Sequence, residues 1–308
     1  MATVINRSGG RVSTVNKPKP VSRKSTKTPI PTIDTDVDLT IPDEPCEPEY
    51  DLSTCTFVLH GEEGIGKTSV AREFPSPLFL MFEPGGKFLS MSRIPRNGQF
   101  SKWSQFVKVI DNLLKSDTYR TVVIDTVDLC YILCEQHICE ENVEQHINDG
   151  SLGFNRGNDK AEFEFKEQIL RITGSGRGVI FISHSKSVEF EKSTGVKHTK
   201  IIPTMKDRVR RFLKGFVDMT MYFGYSGNKR ILTIEGSDDV DAKNRMGSAG
   251  RFFTPKGEAI RSVDMGDSAQ EGYDNFLKAF NNQQVDPGDD VRTARLSEVK
   301  AKFAVKKK

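Results

Sequence analysis

The sequence predicts an α/β fold, a mostly parallel twisted sheet flanked by helices, and three observations carry that prediction. Between residues 52 and 265, apolar β-type runs alternate with helical patterns, as in sheets built from strand–helix repeats. Several runs are unbroken Val, Ile and Phe, which suits central strands covered on both faces. The third is a glycine-rich loop, Gly61-Glu62-Glu63-Gly64-Ile65-Gly66-Lys67-Thr68, set between an apolar run and a helix-compatible stretch that opens at Ser69.

Taken in order, the strand candidates are residues 54–59, 78–82, 121–124, 179–183, 217–222 and 230–235. Each is a short apolar run of β-branched and aromatic residues bounded by turn or charged residues. Helices fit between them, at 69–73, 103–114, 127–147, 160–172 and 206–214, and a last one at 270–280 is expected to pack on the edge of the core. No internal repeat is present.

The ends differ in composition. Residues 1–33 carry seven Lys or Arg and no acidic residue, whereas residues 34–51 carry eight Asp or Glu and no base. Such blocks bury too little apolar surface to offset chain entropy, so a disordered tail is expected over residues 1–51. Residues 266–308 are expected to hold the last helix and a second basic tail ending in Lys306, Lys307 and Lys308. Net charge is only +3, so any contact with nucleic acid must come from local patches. No run approaches the ~18 apolar residues of a membrane span and no signal-peptide core is visible, so a cytoplasmic location is expected and membrane association is not. Five cysteines without a framework spacing fit a reducing compartment.

The loop at residues 61–68 has the full G-x-x-x-x-G-K-[ST] spacing of a phosphate-binding loop. Its glycines let successive backbone N–H groups turn inward onto phosphate oxygens. Lys67 can reach the β- and γ-phosphates, and the Thr68 hydroxyl can ligate Mg²⁺. Residues Gly61 through Ser69 are therefore the expected ATP cradle. Val122-Val123-Ile124-Asp125 is an apolar strand ending in a carboxylate, where a P-loop enzyme places the Asp that holds Mg²⁺ opposite Thr68. Thr126, not Glu, follows it, so a water-activating carboxylate has to come from elsewhere. Glu83 is the candidate, at the end of the neighbouring strand and just before Pro84-Gly85-Gly86. His184 ends the run Val179-Ile180-Phe181-Ile182-Ser183 and is expected beside the γ-phosphate, able to sense it.

Beyond His184, residues 185–203 carry Lys186, Lys192, Lys197, His198 and Lys200 around Ser193-Thr194-Gly195, which reads as a mobile basic hairpin suited to phosphate backbones. Glu189 and Glu191 lie in the same segment and weaken that reading. A second loop, residues 150–159, contains Asn155-Arg156-Gly157 and could contribute in the same way. Lys243 and Arg245 flank Asn244 in a later loop, either a plain basic loop or a pair of fingers reaching a neighbouring subunit's γ-phosphate. Cys130, Cys134, His137, Cys139 and His146 raise the question of zinc. Without a C-x-x-C pair, and with the ligands on one helix, buried thiols packing that helix onto the sheet are the expectation.

In this order the motifs resemble the phage-encoded RecA-like ATPases of the Sak-type single-strand annealing group, which share an AAA-type nucleotide-binding domain. The matching features are the P-loop, the Leu-Phe-Leu-x-x-Glu strand at Glu83, Val-Val-Ile-Asp-Thr at Asp125, and the region from His146 to Gly157. Phe-Ile-Ser-His at His184, the helix and strand from Lys206 to Asp218, and Lys-x-Arg at Lys243 complete the set, over residues 54–262. The Pro-Gly-Gly turn after Glu83, the residues Phe154 to Gly157 and the charged tails depart from the family pattern. The resemblance implies a RecA-like P-loop NTPase domain at 52–265 that binds ATP and Mg²⁺ and acts on single-stranded DNA in phage recombination or replication, in the host cytosol. Homo-oligomers and phage replication or recombination proteins are the implied partners. Two other readings stay open: an ATP-switched DNA-binding module that does not hydrolyse, and a helicase-loader-type ATPase acting on a protein.

Overall fold

The computed structural model describes residues 41–46, 50–191 and 197–288. The chain divides into an N-terminal unit, Met1–Asp43, and a unit Glu44–Lys308 that holds every element discussed below. Most of the expected disordered tail over residues 1–51, and the basic C-terminal end from residue 289, lie outside the described residues.

β1 (Thr56–Gly61) leads into α1 (Lys67–Ala71), followed by β2 (Pro77–Met81), β3 (Ser92–Ile94) and α2 (Trp103–Leu113). β4 (Thr121–Asp125) leads into α3 (Val127–Glu141), then α4 (Arg156–Thr173), β5 (Gly178–Glu191) and β6 (Lys197–Pro203). α5 (Asp207–Phe216), β7 (Met219–Ser226), β8 (Lys229–Thr233), β9 (Lys243–Asn244), β10 (Ser262–Asp264) and α6 (Ala269–Phe280) complete the order.

The main sheet runs β10-β8-β7-β1-β5-β4-β2-β3. Its centre, from β7 through β1, β5, β4 and β2 to β3, is parallel, and β8 and β10 add antiparallel strands at one edge. One strand, β5, separates the P-loop strand β1 from the Asp125 strand β4. This is the mostly parallel α/β sheet that the sequence predicts, with the phosphate-loop strand β1 at its centre.

Strand alternation sorts the core into two layers. Val58, Leu80, Val122, Ile124 and Phe181 face a layer filled from α2, α3, α4 and α5. Phe57, Leu59, Phe79, Val123 and Ile180 face the opposite layer, filled from α1 and α6. The expected last helix thus closes the second layer, with Tyr273, Phe276 and Phe280 buried against Phe57, Phe74 and Phe252. Covering both faces is why these strands read as continuous apolar runs.

Several elements differ from expectation. The helix expected over 127–147 stops at Glu141, because the Asn142 side-chain amide takes the Ile138 carbonyl (2.7 Å) and Val143 turns into the left-handed region at φ 57°. The next helix starts at Arg156, not 160, so part of the expected loop 150–159 is helical. Gly157 permits this start, since a β-carbon there would lie 2.0 Å from the Ile147 carbonyl oxygen. β5 runs past Ser183 to Glu191, well beyond the sheet's edge. Strands β3, β9 and β10 have two or three residues each, too few to show a period.

Candidate nucleotide site

The loop at residues 61–68 leaves β1 at Gly61, where a β-carbon would sit 2.1 Å from the Phe223 carbonyl oxygen of neighbouring β7. Gly64 and Gly66 adopt φ 74° and 109°, open to glycine and strained for other residues. Ile65 is buried in the core and anchors the loop, while Glu62, Glu63 and Gly64 are exposed and Ser69 is half-buried. α1 has only five residues, so its dipole is small and the cradle rests on the loop amides and on Lys67.

Lys67 is 6% exposed, and its Nζ donates to the carbonyls of Gly61 (2.9 Å) and Glu62 (2.7 Å). Burial pulls its pKa down, and Asp125 and Glu83 partly offset that. The Thr68 hydroxyl donates to Asp125 Oδ2 at 2.8 Å, even though β5 lies between β4 and the strand β1 that precedes the loop. Asp125 is 1% exposed, and its Oδ1 is buried with no hydrogen-bond partner. Burial, with a further push from Glu83, raises its pKa to about 6 against the pull of the Thr68 hydrogen bond.

Such an orphaned carboxylate oxygen beside a hydroxyl suits a hard cation with oxygen ligands. Thr68 and Asp125 would hold Mg²⁺, with phosphate oxygens and water filling its other positions. Among the described residues no three His, Cys, Asp or Glu are grouped to hold a metal.

Glu83 follows β2, whose Met81 pairs with Asp125 of β4, and His184 of β5 pairs with Gly61 of β1. Two residues far apart in sequence therefore meet: His184 Nε2 lies 3.3 Å from Glu83 Oε2 and donates to it. His184 Nδ1 is buried without a partner. Lys67, Thr68, Asp125, Glu83 and His184 thus converge on one end of the sheet, at the carboxyl ends of parallel strands.

Other expected residues lie elsewhere. Lys243 donates to the Lys214 and Val217 carbonyls and Arg245 to those of Gly215 and Phe216, so both cap the C-terminus of α5. Reaching a neighbouring subunit's site would require them to leave those carbonyls. Asn155 and Arg156 open α4, where Arg156 bonds the Gly153 carbonyl. Cys130 and Cys134 are buried in the α3 core layer, while His137 pairs with Glu141 (3.5 Å) and His146 is exposed.

The hairpin expected at 185–203 is present as the outer half of β5 paired antiparallel with β6; residues 192–196, with Lys192 and the Ser-Thr-Gly turn, lie outside the described residues. Its register resolves the conflict over Glu189 and Glu191. Lys186, Val188 and Phe190 share one face with His198 and Lys200, and the Phe190 and His198 rings lie 5.8 Å apart. Glu189 and Glu191 are on the other face, where Glu189 pairs with Lys197 at 2.8 Å.

Two residues at the site had no signal in the sequence. His60, immediately before the loop, is wholly buried and held neutral, its pKa lowered by burial to about 4. Its Nε2–H donates to the Asp241 carbonyl (2.7 Å), so Nδ1 accepts from the Ser185 hydroxyl (2.9 Å) and ties β1 to the base of the hairpin. The other is Arg230 of β8, whose Nη1 would lie 3.5 Å from a β-carbon on Gly66.

The sequence pattern of the family described as "AAA domain" matches residues 53–246, more than half of the chain. A curated relative, the SPbeta prophage-derived uncharacterized protein YorG of Bacillus subtilis (strain 168), is 28% identical over 177 residues, 56% of this chain and 51% of its own length. The chain thus spans about half the length of the curated relative it matches. Among solved structures, the KaiC-like protein PH0186 of Pyrococcus horikoshii OT3 aligns over 71% of this chain and 88% of its own, with 11% identity and a TM-score of 0.38. Among the described residues no helix is long and apolar enough to cross a membrane. The chain belongs to this AAA domain family of P-loop NTPases.

Proposed function

We propose that the protein is a Mg²⁺-dependent ATPase that couples ATP hydrolysis to binding of single-stranded DNA, in phage recombination or replication of the Sak annealing type. The observation that supports it most is the Glu83–His184 pair, with His184 beside Gly61 on the strand that continues into the basic hairpin. Lys67 and the loop amides bind the phosphates, and Thr68 with Asp125 would hold Mg²⁺, which would supply charge neutralisation to the phosphates. Glu83 orients and deprotonates the attacking water. His184 exchanges its Glu83 partner for a γ-phosphate oxygen, freeing the carboxylate and marking the ATP-bound state at the root of the hairpin.

DNA is proposed to lie on the Lys186, Phe190, His198 and Lys200 face, which combines cations for phosphates with rings for bases. The prophage origin in the relative's name is compatible with a phage role. The test is ATP turnover with and without single-stranded DNA at low and moderate salt. Salt-sensitive stimulation, lost in a Lys186→Glu, Lys200→Glu double variant, is expected. Turnover indifferent to DNA favours a protein partner, as in a helicase loader. Tight ATP binding without turnover makes the nucleotide a non-hydrolysed switch.

A further inference from the structure

A nucleoside triphosphate has two ends, and this sheet offers them different surroundings on the two sides of β1. Asp125, Glu83 and His184, the groups suited to the reacting end, all lie on the β5, β4 and β2 side. The other side of β1 carries β7, β8 and β10. A cavity of about 510 Å³ opens there, lined by Tyr225, Asn228, Arg230, Asp264, Asp267 and Glu271 among others. That volume lies within the ~300–1,000 Å³ usual for small-ligand sites.

We propose that this cavity receives the base and ribose of the bound nucleotide, with Arg230 locking it to the phosphate loop. The inference rests on the nucleotide-site reading above. Arg230 spans the two parts. Its Nε and Nη2 donate to the Gly266 carbonyl in the cavity wall (2.9 and 2.6 Å), and Nη1 lies against Gly66 of the loop.

The wall is preformed. Asp264 accepts from the Gly266 N–H (2.9 Å) and from Lys229 (3.1 Å), and Glu271 accepts from the Asp267 N–H (2.9 Å). Asp264, Asp267 and Glu271, beside Lys229 and Arg230, give the cavity acceptors for the hydroxyl donors of a ribose. Tyr225, 56% exposed near the turn between β7 and β8, offers a ring face for a base.

The experiment compares Mg²⁺-dependent binding of ATP and of inorganic tripolyphosphate to the full chain. Tyr225→Ala, at an exposed position, should weaken ATP about tenfold and leave tripolyphosphate unchanged, so that the affinity ratio falls. Arg230→Ala should lower the same ratio. A ratio unchanged in Tyr225→Ala overturns the proposal. Lys67→Ala separates the two readings: it should weaken both ligands, and if it weakens neither, the phosphate-loop assignment fails instead.

Discussion

Asp125 and Cys134 are both buried, and both belong to the strand–helix unit formed by β4 and α3, yet they stand in opposite relation to their surroundings. Asp125 keeps a carboxylate oxygen with no partner, and burial pushes its pKa up to about 6. Cys134 sits among apolar side chains, with a long contact from its Sγ to the Ala161 carbonyl (3.5 Å), and burial pushes its thiol far into the protonated form. A thiol of that kind behaves as a small hydrophobe and is satisfied where it is. A buried carboxylate with one empty oxygen is not, and its cost makes sense when a cation completes it. Electrostatic satisfaction, not the count of ligand-type residues, separates the two clusters.

Asp125→Asn breaks the comparison most sharply. ATP hydrolysis should fall by at least about a hundredfold, the scale of removing one charge-stabilising group. The metal-free protein should become more stable at pH 8, by up to about 3 kcal/mol, because the isostere removes an uncompensated buried charge. The sign follows from the raised pKa. Charged Asp125 costs stability above pH 6, and the cost fades as pH falls toward its unfolded value of 3.8. His60 runs the other way, losing stability as pH falls from 6.5 toward 4. Wild type alone therefore shows a muted profile. The difference in Tm between Asp125→Asn and wild type, measured in chelator, isolates the effect and should shrink from pH 8 to pH 4.

A smaller effect is expected on the other side of the comparison. Cys134→Ala should cost about 1 kcal/mol of stability, as a small loss of packing. A zinc chelator should leave the Tm of wild type where it was. A chelator-induced drop in Tm of several degrees, abolished in Cys134→Ala, would show that the thiol cluster holds a metal after all.

Much of the site was legible because strand ends carry it. Asp125, Glu83 and His184 each terminate an apolar run, and parallel strands bring their carboxyl ends to one edge, so a linear reading could assemble them around Lys67. The two faces of the hairpin were missed: Glu189 and Glu191 counted against the basic reading until the register put them on the face opposite Lys186, Val188 and Phe190. Arg230 was not legible either, because its position depends on β7 and β8 being laid beside β1, and nothing local in Lys229-Arg230-Ile231 signals a neighbouring P-loop. The early end of α3 was hidden for a similar reason. Asn142 and Val143 are weak helix breakers by propensity, and what stops the helix is a side-chain cap and a left-handed turn.

The central claim is that Glu83 is the catalytic carboxylate of an ATP-hydrolysing site. The most direct test is a paired measurement on Glu83→Gln: equilibrium ATP binding and single-turnover hydrolysis, with Mg²⁺ present. Binding within a few-fold of wild type with hydrolysis reduced by about a hundredfold or more is the predicted result. Hydrolysis at the wild-type rate with binding intact would contradict it and move the water-activating role to another residue.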